Sequence, residues 1–288
     1  MTQTERRTTT LAAIQMKPLF GEVYENRRQI IRSVTEVAGF GAELIVLPEL
    51  CTTGYMFRDP EEIRPLAEEI PAGDCTTAVI ELCHSLRVYV VFGIAEVSEG
   101  KLYNSAVLAG PDGYIGTYRK VHLWDNENRI FEPGNKGLPI FATPLGAIGL
   151  LICYDAWFPE AFRALTLQGA DIVCLPTNWV PIPGQRSGAP AMALTLCQAS
   201  AHVNSIHIVA ADRIGEERGQ TFIGQSAILG PTGWPLAGPA SFSRPETIIV
   251  EVDLGSGREL RQWNSFNDPV ANRRPGVYAT ALRESAAE

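Results

Sequence analysis

The sequence predicts an α/β fold in which two sheets lie back to back with helices outside, and three observations carry that expectation. Short apolar runs rich in β-branched residues alternate with helical patterns along most of the chain. Most of these runs are continuous, as strands are when further structure covers their sheet. Two segments, NSAVLAGPDGYIGTYRK and QSAILGPTGWPLAG, both read as strand, GPxG turn, strand. Each follows a β–α stretch of similar character, which suggests two related halves packed together, although such hairpins are common enough to echo by chance.

In chain order, TLAAIQM opens as a strand, and Ile30, Val34 and Val37 then share one face of a helix. ELIVLP is the next strand. In Asp59-Pro60-Glu61-Glu62 a capping acid, a proline at the first helical position and a glutamate at the third agree on a helix start. Val79, Leu82, Cys83 and Leu86 mark a further helical face before the strand VYVVFGIAEV and the first hairpin. AIGLLIC ends at Cys153, Pro159-Glu160 opens a helix, and Gly169 closes it. ADIVCLP, SIHIVAA, the second hairpin and TIIVEVDL complete the strands. No linker-like tract divides residues 1–288, so they read as a single domain. Its core is about 10–262, and 263–288 form a C-terminal arm, either exchanged at an oligomer interface or frayed.

Composition narrows the function. Hydrophobic residues make up 45% of the chain and charged residues 19%, values that support a sizeable core. The net charge of −8, with basic residues spread out, makes nucleic acid and anionic membrane poor partners. The opening MTQTERRTTT is polar, and no apolar run approaches the roughly 20 residues of a membrane helix. The six cysteines are scattered without a C-x-x-C pair, so reduced thiols and a cytoplasmic location are expected. His84, His122, His202 and His207 do not supply a metal-ligand spacing.

The chemistry points to three strand exits. Cys153 follows an apolar run and precedes a helical pattern, so the helix N-terminus should favour its thiolate and the Tyr154 N–H should be free for an oxyanion. The alternative is a small core cysteine, which is how Cys51, Cys83, Cys174 and Cys197 read. Glu49 ends ELIVLP: it is either a solvated strand-end acid or, if buried, a general base with its pKa raised toward neutrality. Lys120 in YRKVHL is a surface lysine or an ammonium drawn in to favour a thiolate and hold an oxyanion. Glu127, in DNENRIFEPG, either pairs with that lysine or is an exposed loop acid. A silent binding protein and a redox thiol protein are the competing classes. Intact Glu49, Lys120 and Cys153 weigh against the first, and the lack of a nearby resolving cysteine against the second.

Taken together, VLPELCTTGY, YRKVHL, ENRIFEPG, LLICYDAWFPE, GADIVCLPTNW and ADRIGEERGQTFIGQSAILGPTG resemble the nitrilase superfamily of carbon–nitrogen hydrolases in order and spacing, from about Thr10 to Asn272. The resemblance implies a four-layer α-β-β-α sandwich, a catalytic triad of Glu49, Lys120 and Cys153, and Glu127 as the additional glutamate. It also implies a homodimer or larger homo-oligomer, no cofactor, and a small-molecule amide substrate opened through a thioester. Tyr154-Asp155 after the cysteine looks like the amidase and carbamoylase branches, whereas true nitrilases usually carry tryptophan then glutamate. N-carbamoyl amines are therefore the second expected substrate class, and YDAWFPE is similar to carbamoylputrescine hydrolases. Acyltransferase and NAD synthetase branches are disfavoured for want of membrane spans, an ATP-using domain and a P-loop. Candidate pocket residues are Tyr55, Trp124, Tyr154, Asn178 and Trp179. Arg186 and Arg213 are candidates for a carboxylate contact, with surface or structural roles as the other reading.

Overall fold

A computed structural model describes residues 8–284 apart from Ser187. The first seven residues of the polar opening, and residues 285–288 of the arm, lie outside the described residues. The first sheet takes β1 (Thr8–Gln15), β2 (Leu44–Val46), β3 (Tyr89–Ser98), β4 (Lys101–Gly110) and β5 (Gly113–Arg119). The second takes β6 (Ile140–Thr143), β7 (Gly146–Leu150), β8 (Ile172–Pro176) and β9 (His207–Ala211). A ribbon of β10 (Ile214–Glu217) and β11 (Gln220–Ile223) intervenes before β12 (Ala227–Leu229) and β13 (Pro235–Ala237). The last strand, β14 (Glu246–Asp253), returns to the first sheet and pairs antiparallel with β1 along its whole length.

The suspected duplication is visible in the ladder. The first sheet runs β14-β1-β2-β3-β4-β5 and the second β13-β12-β9-β8-β7-β6. In each, two parallel pairings (β1-β2-β3; β7-β8-β9) are followed by two antiparallel ones (β3-β4-β5; β9-β12-β13). The two GPxG hairpins, β4-β5 and β12-β13, occupy equivalent edges.

The pleat sorts side chains between two cores. Leu11, Ala13, Leu44, Val46 and Val91 point into the core shared with the second sheet. Their neighbours Ala12, Ile14, Ile45, Leu47, Val90 and Phe92 pack under the helices Val23–Gly39 and Asp74–Leu86. Ile30, Val34, Val37, Val79 and Cys83 form the helical side of that core, each fully buried apolar side chain contributing about 1.5–3 kcal/mol. The helices Pro159–Gln168 and Met192–Asn204 cover the outer face of the second sheet. This is the four-layer α-β-β-α sandwich expected from the sequence.

Two details differ from expectation. The Asp59 cap forms, its Oδ1 accepting the Glu62 N–H at 2.9 Å, but the helix it starts is only Pro60–Ile63. A short 3-10 turn, Arg64–Leu66, containing Pro65, follows it. β6, β10 and β11 were not legible as strands, because they are four residues long and lie among prolines, glycines and charges. In the arm, Trp263 stacks on His202 of the helix Met192–Asn204 at 5.3 Å, the Pro269 carbonyl accepts from Arg163 of the helix Pro159–Gln168 at 3.5 Å, and Pro275–Glu284 is helical.

Candidate active site

Three of the four candidate residues leave strands at one edge of the sandwich, and the fourth, Glu127, opens the short helix Glu127–Ile130. Glu49 lies three residues past β2, Lys120 one past β5, and Cys153 three past β7. Glu49 is followed by Leu50 at φ 45°, and Cys153 itself sits at φ 45°, a left-handed backbone that side-chain-bearing residues adopt only when their surroundings hold them there. Space for the Glu49 segment comes from Gly93 on β3, where a Cβ would come within 2.5 Å of the Glu49 Cα and the Leu50 N.

Lys120 and Glu49 are fully buried and Glu127 nearly so. The Lys120 Nζ donates to Glu49 Oε1 at 2.6 Å and to Glu127 Oε2 at 2.7 Å. Glu127 Oε2 also accepts the Trp124 N–H at 2.6 Å, so this acid is a paired group and not an exposed loop residue. Asn104 on β4, which sequence reasoning missed, donates through Nδ2 to Glu49 Oε1 and Glu127 Oε1, both at 2.7 Å. The remaining oxygen, Glu49 Oε2, has no partner among the described residues.

Burial sets the protonation chemistry. Desolvation lifts the Glu49 carboxyl to about 7; the Lys120 ammonium pulls it down and the Glu127 charge adds to the rise. Burial alone would depress Lys120, but Glu127 and Glu49 hold it above its ordinary value. The Cys153 thiol is pushed well up by burial and by Glu49, while Lys120, the Thr177 side chain and the Asn178 N–H act to lower it. The expected help from a helix N-terminus does not materialise. Cys153–Trp157 is a 3-10 turn, and the helix begins only at Pro159. Burial thus favours the thiol form of Cys153 over the thiolate, so a base has to take its proton before sulfur can attack. Cys51, Cys83, Cys174 and Cys197 are fully buried core thiols, as read from the sequence, with pKa values raised by burial.

Cys153 opens into a narrow, mostly apolar recess whose water-accessible volume is about 10 Å³. The candidate pocket residues Trp124, Tyr154, Asn178 and Trp179 line it; Trp157, Val180 and Ile182 complete the wall and had no distinguishing sequence signal. Asn178 also donates to the Glu49 carbonyl at 3.0 Å, tying the wall to the acid. Tyr55 lines an adjoining recess that shares Trp124 and Val180 with the first. Its phenol is pushed up by burial and by the charges of Glu127, Glu49 and Cys153, which places it near the cluster. Arg213 is structural: it is buried, paired with Glu217 at 2.7 Å, and lies 4.1 Å over the Phe222 ring. Arg186 lines a separate surface recess with Gln185 and Phe242.

A buried thiol, an acid and an ammonium at the edge of a four-layer sandwich define a cysteine-hydrolase type of site. The chain belongs to the carbon–nitrogen hydrolase family, whose model matches residues 10–262. It is an enzyme acting on carbon–nitrogen bonds other than peptide bonds. It is 40% identical to a nitrilase from Pyrococcus abyssi, over 93% of this chain and 98% of that one. It is 32% identical to an N-carbamoylputrescine amidase from Solanum lycopersicum, over 96% of both. Among solved structures, a carbon–nitrogen hydrolase from Helicobacter pylori G27 superposes with a TM-score of 0.85 at 25% identity, covering 96% of this chain and 99% of that one. An amidase from Nesterenkonia sp. shares the fold with a TM-score of 0.79 at 24% identity, covering 95% and 96%.

Proposed function

We propose that the protein hydrolyses small non-peptide amides to carboxylic acid and ammonia, with Cys153 as nucleophile. The observation that carries this reading is the hydrogen-bonded cluster of Glu49, Lys120 and Glu127 beside the thiol, with Glu49 Oε2 unpaired. Glu49 takes the thiol proton as sulfur bonds to the amide carbon. The Lys120 ammonium and the Tyr154 N–H hold the oxyanion. The C–N bond breaks as Glu49 returns the proton to nitrogen, and ammonia leaves a thioester. Water, deprotonated by Glu49, then adds to the thioester, the C–S bond breaks, and the thiol regains its proton. Glu127 holds Lys120 between two carboxylates so that the ammonium faces the reaction.

The second reading is an N-carbamoyl amine substrate, which the same steps would convert through a thiocarbamate to ammonia, carbon dioxide and the free amine. It is favoured by the YDAWFPE segment and by the 32% identical N-carbamoylputrescine amidase. The 40% identical nitrilase keeps nitriles in the assay. The aromatic walls suit a small, partly apolar acyl group. Ammonia release from a panel of amides, N-carbamoyl amines and nitriles, with Cys153→Ala as blank, tests the assignment. Turnover surviving in that folded variant would sink it.

A homodimer or larger homo-oligomer fits the exposed apolar residues Met192, Val203, Trp234 and Trp263 around the helix Met192–Asn204, and sedimentation velocity tests it. Six free thiols fit a reducing, cytoplasmic location.

A further inference from the structure

Lys120 and Cys153 leave strands of different sheets, so no backbone ladder fixes the ammonium relative to the sulfur. One buried carboxylate joins the two strand exits. Asp155, at the third position of the Cys153–Trp157 turn, is fully buried. Its Oδ2 accepts the Ile152 N–H at 2.9 Å and the Tyr118 hydroxyl at 2.8 Å. Its Oδ1 accepts the His122 N–H at 3.1 Å and lies 2.7 Å from His122 Nδ1. The Tyr118 oxygen in turn accepts the Val121 N–H at 3.2 Å, and the His122 ring stacks on Phe158 at 3.6 Å.

These partners bracket the two reactive residues. Tyr118, Val121 and His122 flank Lys120, and Ile152 precedes Cys153. The Asp155 N–H returns a bond to the Ile152 carbonyl at 3.0 Å, so a two-way clasp closes over Cys153 and Tyr154. The left-handed Cys153 backbone needs such a restraint. We propose that Asp155 is a positioning residue that fixes Lys120 relative to Cys153. This rests on the nucleophile and oxyanion roles proposed above.

The test uses two near-isosteric variants of the full chain. Asp155→Asn keeps the shape but turns a donor toward groups that are themselves donors, and Tyr118→Phe removes one of the partners. For Asp155→Asn, kcat should fall about 30-fold or more with KM within about threefold, because a small misplacement of reacting groups acts on the chemical step. Alkylation of Cys153 by iodoacetamide should slow in the same variant, a readout that needs no substrate. Tyr118→Phe, folded at the assay temperature though with a lowered Tm, should lose about three- to tenfold in kcat, and it decides the matter if Asp155→Asn does not fold. A folded Asp155→Asn enzyme with wild-type kcat, a loss carried wholly by KM, or a Tyr118→Phe enzyme with unchanged kcat would overturn the proposal. Turnover by Cys153→Ala would instead remove the nucleophile reading on which it rests.

Discussion

Replacing Glu127 by glutamine should move the pH dependence of catalysis in a direction that the site geometry dictates. Glu49 Oε1 and Glu127 Oε1 both lie 2.7 Å from the same Asn104 nitrogen, so the two oxygens are at most about 5.4 Å apart. At an effective dielectric of about 20, two unit charges at that distance repel by roughly 3 kcal/mol, worth about two pH units. The repulsion helps hold Glu49 at about 7. Glutamine removes it, while its amide also disturbs the Asn104 bond to Glu49, a smaller effect of opposite sign. Only ionised Glu49 can take the thiol proton, so kcat/KM should rise with pH through about 7 in the wild type. In Glu127→Gln the acid limb should fall to roughly 5–6, with a lower plateau because the base is weaker and Lys120 has lost a carboxylate. The assay is the pH profile of kcat/KM at constant ionic strength, with the pH dependence of Cys153 alkylation where turnover is slow. An acid limb that stays at about 7 or rises in the folded variant would refute the coupling.

Asn104→Leu leaves two buried glutamate oxygens without a shared donor and should cost about 1.5–3 kcal/mol of stability, read from denaturant unfolding, with a lower kcat. Gly93→Ala drives a methyl against the Glu49 backbone and should lose about 1–3 kcal/mol in the same measurement, with activity falling as Glu49 shifts. Arg258→Ala, which breaks a half-exposed pair with Asp171 far from the cluster, should change stability by no more than about 1 kcal/mol and leave kcat unaltered.

Much of this architecture was legible because its sequence signals are local. Continuous apolar runs reported β1, β3, β8 and β9, and the two GPxG turns reported equivalent hairpins. Glu49, Lys120 and Cys153 stood out because each ends such a run, where a side chain emerges at a sheet edge. Asn104 escaped notice because it sits inside an ordinary-looking strand, and its meaning lies in two partners 55 and 23 residues away. Asp155 was read only as a neighbour of the cysteine, since its bonds to Tyr118 and His122 depend on bringing two sheets together. The thiol was misjudged in one respect. Pro159 marks the helix start correctly, but the intervening turn keeps the helix end away from the sulfur, and burial governs instead.

β14 is made last and belongs first. Until residues 246–253 have been synthesised, β1 presents an open edge, and the core between the sheets lacks Ile248 and Val252. The nascent chain therefore has every residue of the cluster in hand more than ninety residues before its first sheet can be completed. Pairing β14 with β1 closes a loop of about 230 residues, a long-range contact of the kind that forms slowly. The arrangement couples completion of the chain to completion of the sheet that carries Glu49 and Lys120.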